Sequence, residues 1–326
     1  MTPGRGQQPS RGSAIPPSET SVWRAVVRVL RSTAAGSLHS ITSVVFPADC
    51  RVCALPLPGF SLLPVCDSCW NDLPTQRGTL CTLCGESLEA IAPDPLCRMC
   101  QSAPPPFQKA VAHGVYSGTL RALLHLLKYD GMAPIAKRLG ALIAEQVLAV
   151  PDLPPDLLVV PVPLFPAKQR QRGFNQAERL ARSSVAVLRS RRPEMRLKLV
   201  AGALTRQRAT ESQAGLSPHQ RRANVRGAFF VARPAKFTGR DVLLIDDIYT
   251  TGATARACSQ ALRRAGAAHV WVVTLARAQR EHAMPATEDL RDPAAVNAPE
   301  IPMEQDVAFW EEQNAARNPS GLANRT

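Results

Sequence analysis

Val242-Leu243-Leu244-Ile245-Asp246-Asp247-Ile248-Tyr249-Thr250-Thr251-Gly252-Ala253-Thr254 is an apolar run that ends in two carboxylates and passes at once into a small, hydroxyl-rich turn. Val242 to Ile245 has the length and composition of a buried strand, and Thr251 to Arg264 reads as a helix closed by Gly266. The turn therefore sits where a strand feeds a helix. There the free backbone N–H groups and the positive end of the helix dipole face an anion, and Thr250, Thr251 and Thr254 add hydroxyl donors, with Gly252 and Ala253 letting the backbone approach closely. A sugar 5′-phosphate suits that turn. Asp246 and Asp247 would repel it, but they stand at the strand end, where carboxylates accept hydrogen bonds from a ribose diol.

Outward from this stretch the pattern is strand and helix in alternation. Strands are expected at 110–116, 157–162, 228–232, 241–246 and 268–275, and helices at 118–129, 133–149 and after Phe174. That order implies an α/β fold with a mainly parallel sheet covered by helices on both faces, and ligands at the carboxyl ends of the strands. One strand end is followed by the cations Lys168, Arg170 and Arg172, of which the two arginines can hold a pyrophosphate leaving group through forked hydrogen bonds, a solvated basic loop being the alternative. Residues 205–226 are polar, basic and too long for an ordinary connection, so they read as a lid bringing Arg206 or Arg208 to a leaving group. Cys258, alone on the helix after the turn, reads as a small buried residue.

Eight of the nine cysteines form four Cys-x-x-Cys pairs, Cys50/Cys53, Cys66/Cys69, Cys81/Cys84 and Cys97/Cys100. Each half of this array reads C-x2-C-x12-C-x2-C, the spacing of paired knuckles that close a tetrahedral Zn²⁺ site. Two structural zinc ions are expected. The simplest assignment puts one on Cys50, Cys53, Cys66 and Cys69 and the other on Cys81, Cys84, Cys97 and Cys100, with a crossed pairing of knuckles as the alternative. Residues 46–103 are thus a small double zinc ribbon. The Pro104-Pro105-Pro106 run is a stiff link to a main domain over 107–278.

At 326 residues and 45% hydrophobic content the chain can bury a sizeable core. Its formal charge of +13 is unevenly placed: residues 281–326 hold nine acids against three bases, so residues 1–280 carry +19. Such a body suits phosphate-rich ligands, nucleic acid or an anionic surface. Residues 1–20 and 279–326 have the composition of disorder, the latter as an acidic tail in which Phe309 and Trp310 form a lone aromatic pair. Within 21–45, Trp23, Val26, Val27 and Leu30 share one helical face, a basic amphipathic segment read as packing on its own protein, with a membrane surface or a targeting role as the other uses. No 18-residue apolar run exists and residues 1–22 lack a signal-peptide core, so a cytoplasmic location and no transmembrane segment are expected.

The stretch 242–254 resembles the loop of the type I phosphoribosyltransferases that binds phosphoribosyl pyrophosphate (PRPP), with Tyr249 in place of a smaller aliphatic residue. The Cys pairs, Leu127-Lys128-Tyr129, Arg172-Gly173-Phe174-Asn175-Gln176, Arg206 and Arg208 with Gln213, Arg221 with Asn224, and the Asp-Asp turn together, in this order, resemble the ComF/GntX family. That resemblance implies a double zinc ribbon fused to a type I phosphoribosyltransferase-like domain, with links to competence and DNA uptake. PRPP with Mg²⁺ is then the expected ligand and an unidentified nitrogen compound the acceptor. Asp246, Asp247, Thr250, Thr251, Gly252, Ala253 and Thr254 would bind PRPP, and Asp246, Asp247, Arg170, Arg172 and Arg206 would serve the transfer. The alternative is a non-catalytic protein that holds single-stranded nucleic acid, or a partner in DNA uptake, on its ribbons and basic body. The aromatic content of 5% supplies few stacking platforms; Trp70 is a candidate, but a structural role beside Cys69 is the preferred reading.

Overall fold

The computed structural model describes residues 49–57, 63–88, 94–129, 133–207 and 227–279. The expectations for 1–20, 21–45 and the acidic tail beyond 279 fall outside them, as does most of the expected lid, including Arg208. The chain divides into two compact units, residues 1–67 and 68–326. Of the first, the described part is a tight turn, with Cys50 N–H donating to the Leu55 carbonyl at 2.8 Å and Arg51 N–H to that of Pro64 at 2.8 Å.

In chain order the helices are α1 (Asp67–Asn71), α2 (Arg98–Ser102), α3 (Gly118–Tyr129), α4 (Ala133–Leu148), α5 (Pro166–Arg172), α6 (Gln176–Arg191) and α7 (Ala253–Arg264). The strands are β1 (Lys109–Val115), β2 (Asp156–Pro161), β3 (Arg196–Leu199), β4 (Leu204–Arg206), β5 (Phe229–Val231), β6 (Asp241–Tyr249) and β7 (His269–Arg277). Five of them form one parallel sheet in the order β1-β7-β6-β2-β3, and β4 and β5 form an antiparallel pair. The α/β reading of the sequence matches this sheet.

Register fixes which side chains share a face. Leu158 lies beside Val242, which lies beside Val270, and Leu244 beside Val272. These residues pack in one buried cluster with Cys258 and Leu262 of α7, Phe107 and the four cysteines 81, 84, 97 and 100. Alternate strand residues Leu157, Val159, Leu243, Ile245 and Val273 are equally buried and point to the opposite face, as a pleated strand requires. There α4 and α6 pack on the sheet and on each other. A near-continuous run of buried Val, Leu and Ile is what a strand covered on both sides needs.

Helix α4 comes close to α6 at Gly140, where an added Cβ would lie 2.4 Å from Ser183 Cβ and 3.0 Å from the Ser184 nitrogen. Gly140→Ala improves helix propensity by about 1 kcal/mol, yet overpacking costs about 1–3 kcal/mol. Backbone on the far side cannot give cheaply, so the clash wins. We expect net destabilisation in urea unfolding; a stabilised variant would show that the helices slide apart freely.

Strands β3 and β4 were not anticipated from the sequence, and two stretches near the acidic pair also differ from that reading. The strand carrying the acidic pair runs on to Tyr249, and its helix starts at Ala253. The basic stretch after β2 is a helix: Pro166 supplies the fixed φ of the first turn and Gly173, at φ 75°, ends it in the left-handed region. Asn175 then caps α6, accepting from Ala177 N–H at 3.0 Å while its amide donates to the Val162 carbonyl at 3.0 Å. This ties the helix start to the end of β2.

Candidate functional site

Asp246 and Asp247 close the buried part of β6, and the chain turns through Thr250, Thr251 and Gly252 into α7. Gly252 caps the helix at φ 75°. Ala253 N–H points to Thr251 Oγ1 at 3.4 Å, and the Gly252 carbonyl already accepts from Arg256 N–H at 2.9 Å. The remaining first-turn amides are of the kind an anion fills. Tyr249 is buried beneath the turn. An added Cβ on Gly252 would sit 2.2 Å from its hydroxyl oxygen. The tyrosine therefore supports the turn from below instead of occluding it from above.

The acidic pair is not symmetric. Asp247 faces Lys128, at the end of α3, across 3.2 Å. Burial raises the Asp247 carboxyl, but attraction to Lys128 and then Arg172 outweighs it and holds the group below the usual carboxylate range. Asp246 Oδ1 accepts from Asp247 N–H at 2.9 Å. Burial, reinforced by the charge on Asp247, pushes the Asp246 carboxyl well above that range. Two adjacent carboxyl groups are thus set apart, one ionised and one inclined to keep its proton.

Cations from three elements surround the pair. Lys128 resists the downward pull of burial because Asp247 attracts its charge. The Lys168 ammonium is held below its ordinary value by burial and by the positive charges of Arg172, Lys128 and Arg206. Burial likewise lowers Arg206, whose guanidinium interacts with Asp246 and with the buried Cys258 and lies 5.6 Å from the Phe229 ring centre. Lys168 and Arg172 are four residues apart on α5 and share a face, whereas Arg170 lies about 200° round the helix from Arg172 and is exposed. The sequence reading had both arginines reach one ligand; the helix sends them apart. Lys128 was visible in the Leu-Lys-Tyr triplet, but only the end of α3 reveals its pairing with Asp247.

The cysteines form two groups, Cys50, Cys53, Cys66 and Cys69, and Cys81, Cys84, Cys97 and Cys100. This is the sequential pairing. Within each, the sulfurs lie within 4.8 Å of one another. The Cys53–Cys66 and Cys84–Cys97 separations are 3.7 and 3.6 Å. Tetrahedral zinc with bonds of about 2.3 Å needs sulfur separations of about 3.8 Å, so both donor sets fit the ion. Burial raises the Cys50 thiol, but backbone N–H groups of Cys53, Cys66 and Val52 outweigh it and bring it down to about 6. Cys81 comes down to about 7 in the same way, while burial holds Cys84 at about 12. An amide-stabilised thiolate is the form that ligates metal. Trp70 is buried, with the Arg138 guanidinium 4.3 Å over its ring, which agrees with the structural role read for it beside Cys69 and not with a stacking platform. No helix among the described residues is long and apolar enough to cross a membrane.

No family model matches the chain. Among individual proteins, it is 34% identical over 239 residues to the DNA utilization protein YhgH of Escherichia coli K12, covering 71% of this chain and 97% of that protein. It is 31% identical over 221 residues to competence protein F of Haemophilus influenzae, across 66% of this chain and 90% of the relative. Against competence protein ComFC of Bacillus subtilis the identity is 28% over 224 residues, 65% and 84% of the two chains. With a parallel α/β sheet, two four-cysteine clusters and these relatives, the chain belongs to the ComF/GntX family.

Proposed function

We propose that the chain binds PRPP with Mg²⁺ and transfers its phosphoribosyl group to a nitrogen acceptor, in the cytoplasm and in connection with DNA uptake. The observation that carries this reading is the convergence, at one end of the parallel sheet, of an unequal carboxylate pair, the Lys128, Lys168, Arg172 and Arg206 cations and a glycine-capped helix start. Thr250, Thr251, Gly252, Ala253 and Thr254 hold the 5′-phosphate, and Asp246 and Asp247 accept hydrogen bonds from the ribose hydroxyls. Arg172 and Arg206, with Lys168, lie where departing pyrophosphate gathers charge; Arg170 serves at most the rim. The bond from C1 to the pyrophosphate oxygen breaks with its electron pair on oxygen. A C1–N bond forms, and the acceptor's N–H proton passes to solvent. Stabilising the leaving charge is where binding energy speeds such a step. Magnesium arriving with PRPP would be held beside the Asp246 and Asp247 carboxyl groups and would neutralise part of the substrate's negative charge.

Each four-cysteine group holds one structural Zn²⁺ in this reading, and the domain limits are those expected from the sequence, a ribbon over 46–103 and a transferase-like body over 107–278. A second reading draws on relatives named for DNA utilization and competence together with the +19 of residues 1–280: a protein that holds single-stranded nucleic acid without turnover. The deciding experiment is a calorimetric titration of the zinc-loaded chain with PRPP and Mg²⁺. Micromolar binding supports the transferase reading. No heat with PRPP, alongside salt-dependent DNA retardation, would replace it with the second.

A further inference from the structure

Arg277, the last residue of β7, is 2% exposed, lies beside Tyr249 in the sheet register and reaches the second cysteine group. Its guanidinium donates to the Cys84 carbonyl at 2.5 Å and to Glu86 Oε2 at 2.5 Å, and lies 3.6 Å from the Cys84 sulfur. Glu86 is itself buried. The other side of the same guanidinium covers the Tyr249 ring at 4.3 Å, and Phe107 meets that ring edge-on at 6.4 Å. Tyr249 in turn supports Gly252 of the phosphate turn through its hydroxyl. The backbone repeats the connection: Ala110 N–H of β1 donates to the Leu83 carbonyl inside the Cys81–Cys84 knuckle at 2.7 Å, and Ala278 N–H donates to the Tyr249 carbonyl at 2.9 Å.

We propose that Arg277 is a positioning residue that makes the shape of the phosphate turn depend on the metal in the Cys81, Cys84, Cys97 and Cys100 site. A buried arginine needs its partners, and both of them, Glu86 and the Cys84 carbonyl, belong to the knuckle or its following turn. The knuckle keeps that geometry while four thiolates close on an ion. When the ion leaves, nothing ties the four sulfurs together, the Cys84 carbonyl is free to turn away and Arg277 loses its fork. Tyr249 loses the flat cation above its ring, and the left-handed Gly252 turn loses its support. Zinc loss, by chelation or by hydrogen peroxide that oxidises two of the thiols to a disulfide and is itself reduced to water, thus switches off sugar-phosphate binding through Arg277 and Tyr249. The inference rests on the zinc and phosphate-turn assignments made above.

The test follows hydrogen exchange while a chelator slowly withdraws zinc from the full chain, with the coloured chelate reporting release. Exchange of the peptide over 249–256 should rise roughly tenfold as zinc leaves while β2 stays protected. Loop protection that survives loss of all zinc, or disappears only together with that of β2, overturns the proposal. Arg277→Met supplies an independent arm, since it keeps bulk over Tyr249 and removes the fork. It should retain two zinc ions per chain and show the faster loop exchange without chelator; unchanged loop exchange overturns the role of Arg277. Neither readout uses PRPP. A chain whose loop responds to zinc but gives no heat with PRPP removes the ligand reading and leaves the coupling. A chain that binds PRPP with a loop indifferent to zinc removes the coupling alone.

Discussion

Asp246→Asn should make the protein more stable near neutral pH while weakening the PRPP binding proposed above, and adding Asp247→Asn should weaken that binding much further. A carboxyl whose folded pKa is raised binds its proton more tightly in the folded chain. Its stabilising contribution is fully present below the unfolded value of about 3.9 and is lost as pH rises through the folded value. Asp246 is in that position, because burial and the charge of Asp247 both oppose its ionisation. An asparagine carries no such loss and still offers an oxygen to Asp247 N–H. The Tm at pH 7.5 should therefore rise, by about 2–4 °C for each kcal/mol regained, and the gain should vanish toward pH 4.

Asp247 behaves oppositely. Its folded pKa is depressed through Lys128, so it contributes stability above about 3.9 that is lost as pH falls through the folded value. Asp247→Asn leaves the Lys128 ammonium without its carboxylate and should lower the Tm. Each carboxylate–hydroxyl hydrogen bond removed costs about 1.5–3 kcal/mol of ligand affinity, so the double variant should bind PRPP at least about 100-fold more weakly. Calorimetry and thermal melts at pH 7.5 and 4.5 check both halves. An Asp246→Asn chain that melts lower at pH 7.5, or a double variant that binds normally, would show that the pair does something other than hold a sugar.

That a stabilising substitution should cost binding is the usual signature of a site that carries strain for its ligand. It also shows what the sequence could reveal. The Val242–Ile245 run, the Asp-Asp end and the cysteine spacing were legible because each is local: period, turn chemistry and ligand spacing lie within a few residues of one another. The sequential pairing of knuckles, the unequal ionisation of Asp246 and Asp247 and the partner of Lys128 were not, because they depend on elements brought together by the sheet, with Lys128 and Asp247 meeting from α3 and β6. The segment from Pro166 to Arg172 fell between the two cases. Its Pro start and Gly173 stop are helix signals, but its charge density drew the reading to what the cations could hold and away from the element that carries them. Arg277 carried no signal at all, being one more arginine at a strand end until its fork onto Cys84 and Glu86 is seen.

Gly252→Ala should cost more affinity for ribose 5-phosphate than any other single methyl group added to the described chain. Two penalties fall together there. The residue sits at φ 75°, where a Cβ costs about 1–2 kcal/mol, and that Cβ would lie 2.2 Å from the Tyr249 hydroxyl oxygen and 2.5 Å from the ring carbon that bears it. The end of a side chain gives way cheaply only where it is free to swing. Tyr249 is held between Phe107 and Arg277, so the turn must move instead, and the amides facing the phosphate move with it. We expect binding to fall by about 100-fold or more, in line with the few kcal/mol these terms supply, while β2 and β6 keep their exchange protection. A double-mutant cycle separates the two causes. Tyr249→Leu, which shortens the obstructing side chain, should recover part of the Gly252→Ala loss, and what remains measures the backbone term. Full recovery would mean that the left-handed turn is not required for phosphate. No recovery would mean that Tyr249 is not what supports it, and the path from the zinc knuckle to the ligand would lose its last link.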